Sequence, residues 1–368
     1  MFQISRKFPL AFLSPSRSYL FSSPINANRL YTTIKLNLKL LQQLRQETQV
    51  SITKAKEALI KHDNDYEIAL SWILEDSKTS GVAKAEKLKG RIAKEGLIGI
   101  ALTNSLKEKE IMDMGNTRGA IIEVNCETDF VSRNTLFQKF VTQIASTSLL
   151  LSSDITPISS SSSTFIQPIP LSLLQSSPLL PHPSSTSSDL SLATTVQEST
   201  VELVGKLGEN ISLRRAEAVV FPDTSNVINE DSYILTGGYI HGGDSFTGKI
   251  GGLVVIKLLG KLAKQNSLHS SEQITKLLRN LARQVVGFNP KYINENNIKT
   301  IQDGINKNDY IKENVLLNQD FIIGGGSVKD VIKEKEKELG VGIEIVDFKR
   351  WERGEGIEES KGTLLRRL

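Results

Sequence analysis

Only one of the 368 residues is a cysteine, Cys126, so no disulfide can form within the chain. The four histidines, His62, His182, His241 and His269, stand singly, without the spacing of metal ligands. Both scarcities point to a reducing compartment and away from a metalloprotein. No run approaches the roughly 18 uninterrupted apolar residues that a membrane span needs. With 39% hydrophobic and 23% charged residues, the composition is that of a soluble globular protein. No nucleophile, base and orienting residue cluster along the sequence, so nothing positive supports an enzyme. A chain of this length divides into two or three domains of roughly 100 to 200 residues.

Acidic residues are missing from the first 46 positions; Glu47 is the first. Residues 1–31 carry Arg6, Lys7, Arg17 and Arg29, six serines and interleaved Phe and Leu. That is the composition of an organellar transit peptide, and the arginines favour a mitochondrial one. Arg29-Leu30-Tyr31 resembles the Arg-x-Tyr end of such presequences and places cleavage near Thr32. The alternative is a disordered basic arm for nucleic acid. Subtracting those four bases from the formal +4 leaves a mature chain of about zero net charge, whereas a nucleic-acid binder keeps a surplus of base in its folded part.

Between Lys39 and Ile73 apolar residues recur at helical spacing in three short runs, which predicts a three-helix module over residues 36–80. Asn64, three residues before Glu67, is the expected cap of the third helix. The base-rich stretch Lys78–Lys94 reads as a linker or an exposed helix. Strands are expected at Leu97–Leu102 and Gly119–Asn125, then a helix through Leu136, Phe140 and Ile144. Residues 146–191 are Ser-rich and hold six of the eleven prolines, a composition that disfavours regular elements and suggests a mobile insertion, although its leucines and isoleucines count against full disorder. A helix closed by Gly208 follows. Ile211–Phe221, Tyr233–Ile240, Leu253–Leu259 and Ile343–Phe348 read as strands; Ile274–Val286 and the stretch from Ser327 to Leu339 read as helices. The predicted fold is α+β: the helical module, a first subdomain over 95–210, a second over 211–358, both with small antiparallel sheets, and a short tail over 359–368.

The run Glu123-Val124-Asn125-Cys126-Glu127-Thr128-Asp129-Phe130-Val131-Ser132-Arg133 lies between a predicted strand and a predicted helix. Phe130 there is either held out on a turn for a partner to bury, worth roughly 1.5–3 kcal/mol, or tucked into its own core with Asp129 capping the next helix. Composition alone favours the core. Gly243-Asp244-Ser245-Phe246-Thr247-Gly248-Lys249 has the spacing of a phosphate-binding loop. Ile250, however, stands where a Ser or Thr hydroxyl is required, and a strand-like run follows instead of a helix, so a glycine-rich hairpin is the better reading. Gly324-Gly325-Gly326-Ser327 likewise reads as a loop before a helix. Cys126 reads as a small packed residue rather than a reactive thiol.

The eleven-residue run resembles the second signature of the elongation factor Ts family. Leu44-Arg45-Gln46-Glu47-Thr48-Gln49, continuing to Lys56-Glu57-Ala58-Leu59, resembles its first, which lies on a ubiquitin-associated-like three-helix module. Val204–Ile211, Arg214-Arg215 and Gly354-Glu355-Gly356-Ile357-Glu358 are also similar to family stretches. The resemblance implies a non-enzymatic exchange factor that speeds GDP loss from mitochondrial elongation factor Tu in the matrix. It implies a one-to-one complex, no cofactor, and no direct nucleic-acid or membrane partner. It makes Thr128, Asp129, Phe130 and Val131 the element that disturbs the partner's Mg²⁺ and phosphate-binding loop, with Phe130 as wedge and Asp129 in support. Leu44, Arg45, Thr48 and Lys56 mark the module that grips the same GTPase domain, leaving the second subdomain for the partner's other domains. The short interval between Ile293 and Val315 departs from bacterial members, which carry a long coiled-coil insertion. The remaining functional class is a ubiquitin-type or ribosome-bound adaptor, since such a module can serve merely as a tether.

Overall fold

Helices α1 (Leu38–Thr48), α2 (Ile52–Lys61) and α3 (Tyr66–Leu88) form because each presents a narrow apolar stripe that the others cover. Leu44, Val50, Ala55, Ala58, Leu59, Ala69 and Ile73 are buried together. The computed structural model describes residues 36–358 except 49, 51, 104–115, 156–163, 186–193, 222–231, 261–266, 302, 303 and 305. The expected presequence, its cleavage point and the tail therefore lie outside the described residues. The cap of α3 is Asp65, whose Oδ1 accepts from the Ile68 amide at 3.0 Å, and not Asn64. Asn64 has a left-handed φ of 61° and spends its side chain on the Asn37 amide at 3.0 Å. The base-rich stretch as far as Leu88 is the continuation of α3, which leaves the module and lies on α7 (Val196–Leu207), and Lys89, Arg91 and Lys94 follow in the turn and loop beyond it. At Gly81 a Cβ would stand 2.9 Å from the Val201 carbonyl oxygen, so glycine permits this approach.

Two antiparallel sheets follow. The first has the order β3-β4-β2-β1-β6, built from β1 (Glu95–Leu102), β2 (Gly119–Cys126), β3 (Ile166–Pro168), β4 (Ser212–Val219) and β6 (Thr247–Gly248). The second has the order β5-β7-β8, from β5 (Ser232–His241), β7 (Ile250–Leu259) and β8 (Gly342–Glu352). Ile122 and Val124 of β2 face α5 (Thr135–Leu151), while Ile121 packs with Ile98, Ile234, Leu253 and Val255 between the sheets. Val254 and Ile256 face α8 (Ser267–Phe288). Both faces of the central strands are thus buried, which is why they read as continuous apolar runs rather than alternating ones. The described residues form a helical bundle followed by two mixed α+β regions.

Two expectations are corrected. Strand β4, expected to open the second subdomain at residue 211, pairs with β2 and β3 in the first sheet. The Ser-rich stretch is not devoid of regular elements: β3 pairs with β4, and α6 (Leu171–Ser176) buries Leu174 completely. The glycine-rich loop before β7 is a turn: Asp244 Oδ1 accepts from the amides of Phe246 (2.8 Å) and Thr247 (2.6 Å), so those donors are already taken. The helix over Val328–Leu339 starts at the expected Ser327, in a reciprocal cap with Asp330, and α7 ends at Gly208 with φ 75°.

Candidate functional site

Strand β2 ends at Cys126, and within two residues the chain turns into α4 (Asp129–Ser132), a single helical turn. Thr128, extended at φ −125° and ψ 157°, is its N-cap and accepts from the Val131 amide at 3.4 Å. Asn134 Oδ1 accepts from the Leu136 amide at 2.8 Å and so starts α5. With both caps supplied by these residues, Asp129 is free to pair with Arg133 at 2.8 Å, one turn along. Val131 and Ser132 point inward and are buried. Phe130 therefore points out and is 80% exposed. The reading in which Phe130 joins its own core and Asp129 caps the next helix is corrected by this geometry.

The corner is tied to a second corner, between α7 and β4. Glu209 accepts from the Thr128 amide at 3.0 Å with one carboxylate oxygen and from the Thr128 hydroxyl with the other. Reciprocally, Glu127 Oε1 accepts from the Asn210 amide at 2.7 Å. Arg91, just beyond α3, reaches Glu127 at 3.4 Å, and its carbonyl accepts from Asn210 Nδ2 at 2.7 Å. Burial, and secondarily the Glu209 charge, pushes the Cys126 thiol up to about 12, so it stays protonated and donates to the Thr128 carbonyl at 3.2 Å.

Five residues before the turn, the fully buried Glu123 gathers four donors: Arg214 Nη1 at 3.0 Å, Arg215 Nε at 2.5 Å, Asn125 Nδ2 at 3.0 Å and the Gly354 amide at 2.7 Å. Arg215 also lies over the Trp351 ring, 4.3 Å from its centroid. Gly354 has a φ of 68°, and a Cβ there would stand 2.2 Å from the Lys94 carbonyl oxygen, so only glycine brings this amide to the carboxylate.

A family model described as elongation factor TS matches residues 127–307, which include this corner and its Glu209 partner. The mitochondrial elongation factor Ts of Laccaria bicolor is 35% identical over 339 residues, covering 89% of this chain and 94% of that protein. The chain belongs to the elongation factor Ts family. The mitochondrial elongation factor Ts of Coprinopsis cinerea is 32% identical, covering 91% of this chain and 97% of that one. The elongation factor Ts of Parvibaculum lavamentivorans is 31% identical, covering 89% and 95%. Elongation factor Ts proteins are nucleotide exchange factors for elongation factor Tu rather than catalytic enzymes, and this one is of the mitochondrial type, at home in the matrix.

The four residues singled out on the module divide into two pairs. Arg45 and Lys56 are exposed. Leu44 and Thr48 are interior: Leu44 is fully buried, and the Thr48 hydroxyl donates to its carbonyl at 2.6 Å. As contact residues these two are corrected to core residues that shape α1. Arg45 lines a concavity of about 410 Å³ with Leu38, Leu41, Gln42, Gln46 and Ile52, of which Leu38 and Ile52 are exposed.

Sequence reasoning did not assign roles to Glu123, Glu127, Glu209 or Arg91. A signal for Glu123 existed: one acid sits inside the apolar run Ile121-Ile122-Glu123-Val124, and two adjacent arginines sit inside another, at 214 and 215. A buried charge needs a partner, and these were each other's. Glu209 carries no such local mark.

Proposed function

We propose that this chain releases GDP from mitochondrial elongation factor Tu by driving Phe130 into the GTPase domain, which displaces the backbone that holds Mg²⁺ and the nucleotide phosphates. The observation that carries the reading is a large aromatic side chain left 80% exposed on a corner braced from two sides. An exposed Phe loses water contact favourably only when a partner covers it, worth roughly 1.5–3 kcal/mol. Mg²⁺ in such GTPases is held by few protein ligands, so a small backbone displacement loosens ion and nucleotide together. Val131 anchors the wedge from inside, Asp129 braces Arg133 across the turn, and Thr128 caps it. The exposed Arg45, Lys56, Leu38 and Ile52 of the module supply a second grip on the same domain, shaped from within by Leu44 and Thr48. The complex is one-to-one. Residues 1–31 are a presequence removed near Thr32, and residues 36–80 form the gripping module.

The test is the release rate of fluorescent GDP from mitochondrial elongation factor Tu with mature wild-type protein and with Phe130→Ala. Wild type accelerates release, and the variant loses roughly 10- to 150-fold of that acceleration, the equivalent of burying one Phe. A well-folded wild type that gives no acceleration overturns the function. Equal acceleration by both moves the mechanism away from Phe130.

A further inference from the structure

We propose that Glu209 is a positioning residue for exchange, setting the angle at which the corner presents Phe130; this rests on the wedge reading above. A one-turn helix such as α4 has no stability of its own, because nucleating a turn fixes several backbone angles for one hydrogen bond. Its direction must come from outside. Glu209 supplies that with both carboxylate oxygens, one on the Thr128 amide at 3.0 Å and one on the Thr128 hydroxyl. The same hydroxyl accepts from the Val131 amide, so it relays the position of Glu209 into α4 one residue beyond Phe130. Gly208, in the left-handed conformation, ends α7 and turns the chain toward the corner. The Glu127–Asn210 bond closes the junction from the other side.

The junction also reaches the helix that begins in the N-terminal module. Lys84 of α3 donates to the Gly205 carbonyl of α7 at 3.2 Å, and Arg91 binds both Glu127 and Asn210. Phe130 and the module are therefore registered through one small set of bonds around residues 205–210. Loosening Glu209 leaves the module and the sheets in place but lets Phe130 swing. The defect falls on how fast bound nucleotide is expelled and not on how tightly the factor docks.

The experiment measures GDP release from mitochondrial elongation factor Tu against the concentration of mature wild-type protein, Glu209→Ala, Glu209→Gln, Phe130→Ala and the Glu209→Ala/Phe130→Ala double variant. For Glu209→Ala the maximal rate falls roughly tenfold, the loss expected for charge-assisted hydrogen bonds at the corner, while the half-saturating concentration stays near wild type and the melting temperature falls by only a few degrees. Glu209→Gln, which keeps an acceptor for the Thr128 amide, recovers part of the rate. The double variant is no slower than Phe130→Ala, because a wedge that is absent cannot be mispositioned. In the free protein, amide exchange rises in residues 127–134 of Glu209→Ala. A wild-type maximal rate in Glu209→Ala, a defect confined to half-saturation, or multiplicative losses in the double variant overturns the proposal. Lack of acceleration by wild type overturns the exchange reading instead, and an unimpaired Phe130→Ala overturns the wedge.

Discussion

Truncating Glu123 to alanine removes the acceptor at which both sheets meet. Its carboxylate is fully buried and serves Arg214, Arg215, Asn125 and the Gly354 amide. Hydrogen bonds to charged groups contribute about 1.5–3 kcal/mol each, but four bonds to one carboxylate form a network and cannot be summed. Removing one partner of a buried ion pair costs about 3–5 kcal/mol. The lower end applies here, because Arg214 and Arg215 retain 28% and 27% exposure and second partners. Arg214 Nη2 donates to the Glu355 carbonyl, and Arg215 Nη2 to the Glu352 carbonyl at 3.1 Å. The expected loss is about 3 kcal/mol, or roughly 6–12 °C in melting temperature for a folded unit of 150–250 residues.

The assay is thermal unfolding followed by circular dichroism, with amide exchange over residues 353–357 as the local readout. Exchange there should rise, since the Gly354 amide loses its acceptor. Glu123→Gln preserves shape and one acceptor oxygen but turns an N–H toward a guanidinium, so it should cost about half as much or more. A Glu123→Ala protein within about 1 kcal/mol of wild type, with unchanged exchange at Gly354, would refute the idea that this carboxylate joins the two sheets.

Phe130→Ala should leave the melting transition of the free protein within about 0.5 kcal/mol of wild type, because the side chain makes little contact with its own fold; a larger loss would place Phe130 in the core after all. Cys126 should resist Ellman's reagent in the native protein at pH 8 and react on unfolding, since burial pushes its thiol up to about 12. Burial also raises the Asp347 carboxyl above its ordinary 3.8, so the native state holds that proton more tightly than the unfolded chain. The stability Asp347 contributes is therefore present below about pH 4 and lost as pH rises through its raised value. Asp347→Asn still accepts from the Ile166 amide, and denaturant titrations should show the variant gaining on wild type as pH rises; a pH-independent difference would contradict this. Gly81→Val should push α3 off the Val201 carbonyl, destabilise by about 1–3 kcal/mol, and raise amide exchange in α7.

Local pattern carried much of the fold. The helix stop at Gly208, the helix start at Ser327 and the strand runs at 119–125 and 253–259 were legible because capping and burial on both faces leave their mark within a few residues. Pairing does not. Strand β4 joins β2 and β3, and no feature of residues 211–221 distinguishes a last strand of one sheet from a first strand of the next. The Ser-rich stretch misled for a related reason: average composition hides the few residues, Ile166, Ile169 and Leu174, that bury themselves against β4, α5 and α7. Asn64 and Asp65 are equally good caps on paper, and the left-handed backbone at residues 63 and 64 decides between them. At the candidate site, composition argued for an interior Phe130 and family likeness for an exposed one. The caps that decide between them, Thr128 and Asn134, flank Asp129, the residue that the local pattern offered as a cap.

The exposure of Phe130 is maintained from far along the chain. A lone turn of helix would let so large a side chain fold back over the nearby core, since burying it is favourable. Here the turn is held by Glu209, 81 residues beyond Thr128, and the strand behind it by Gly354, 231 residues beyond Glu123. Such bonds exist only when both sheets and α7 are assembled. The partner-facing residue is thus presented by the finished fold and not by its own segment: an isolated peptide spanning residues 119–134 should neither hold the helical turn nor accelerate GDP release, even though it contains all four residues of the wedge.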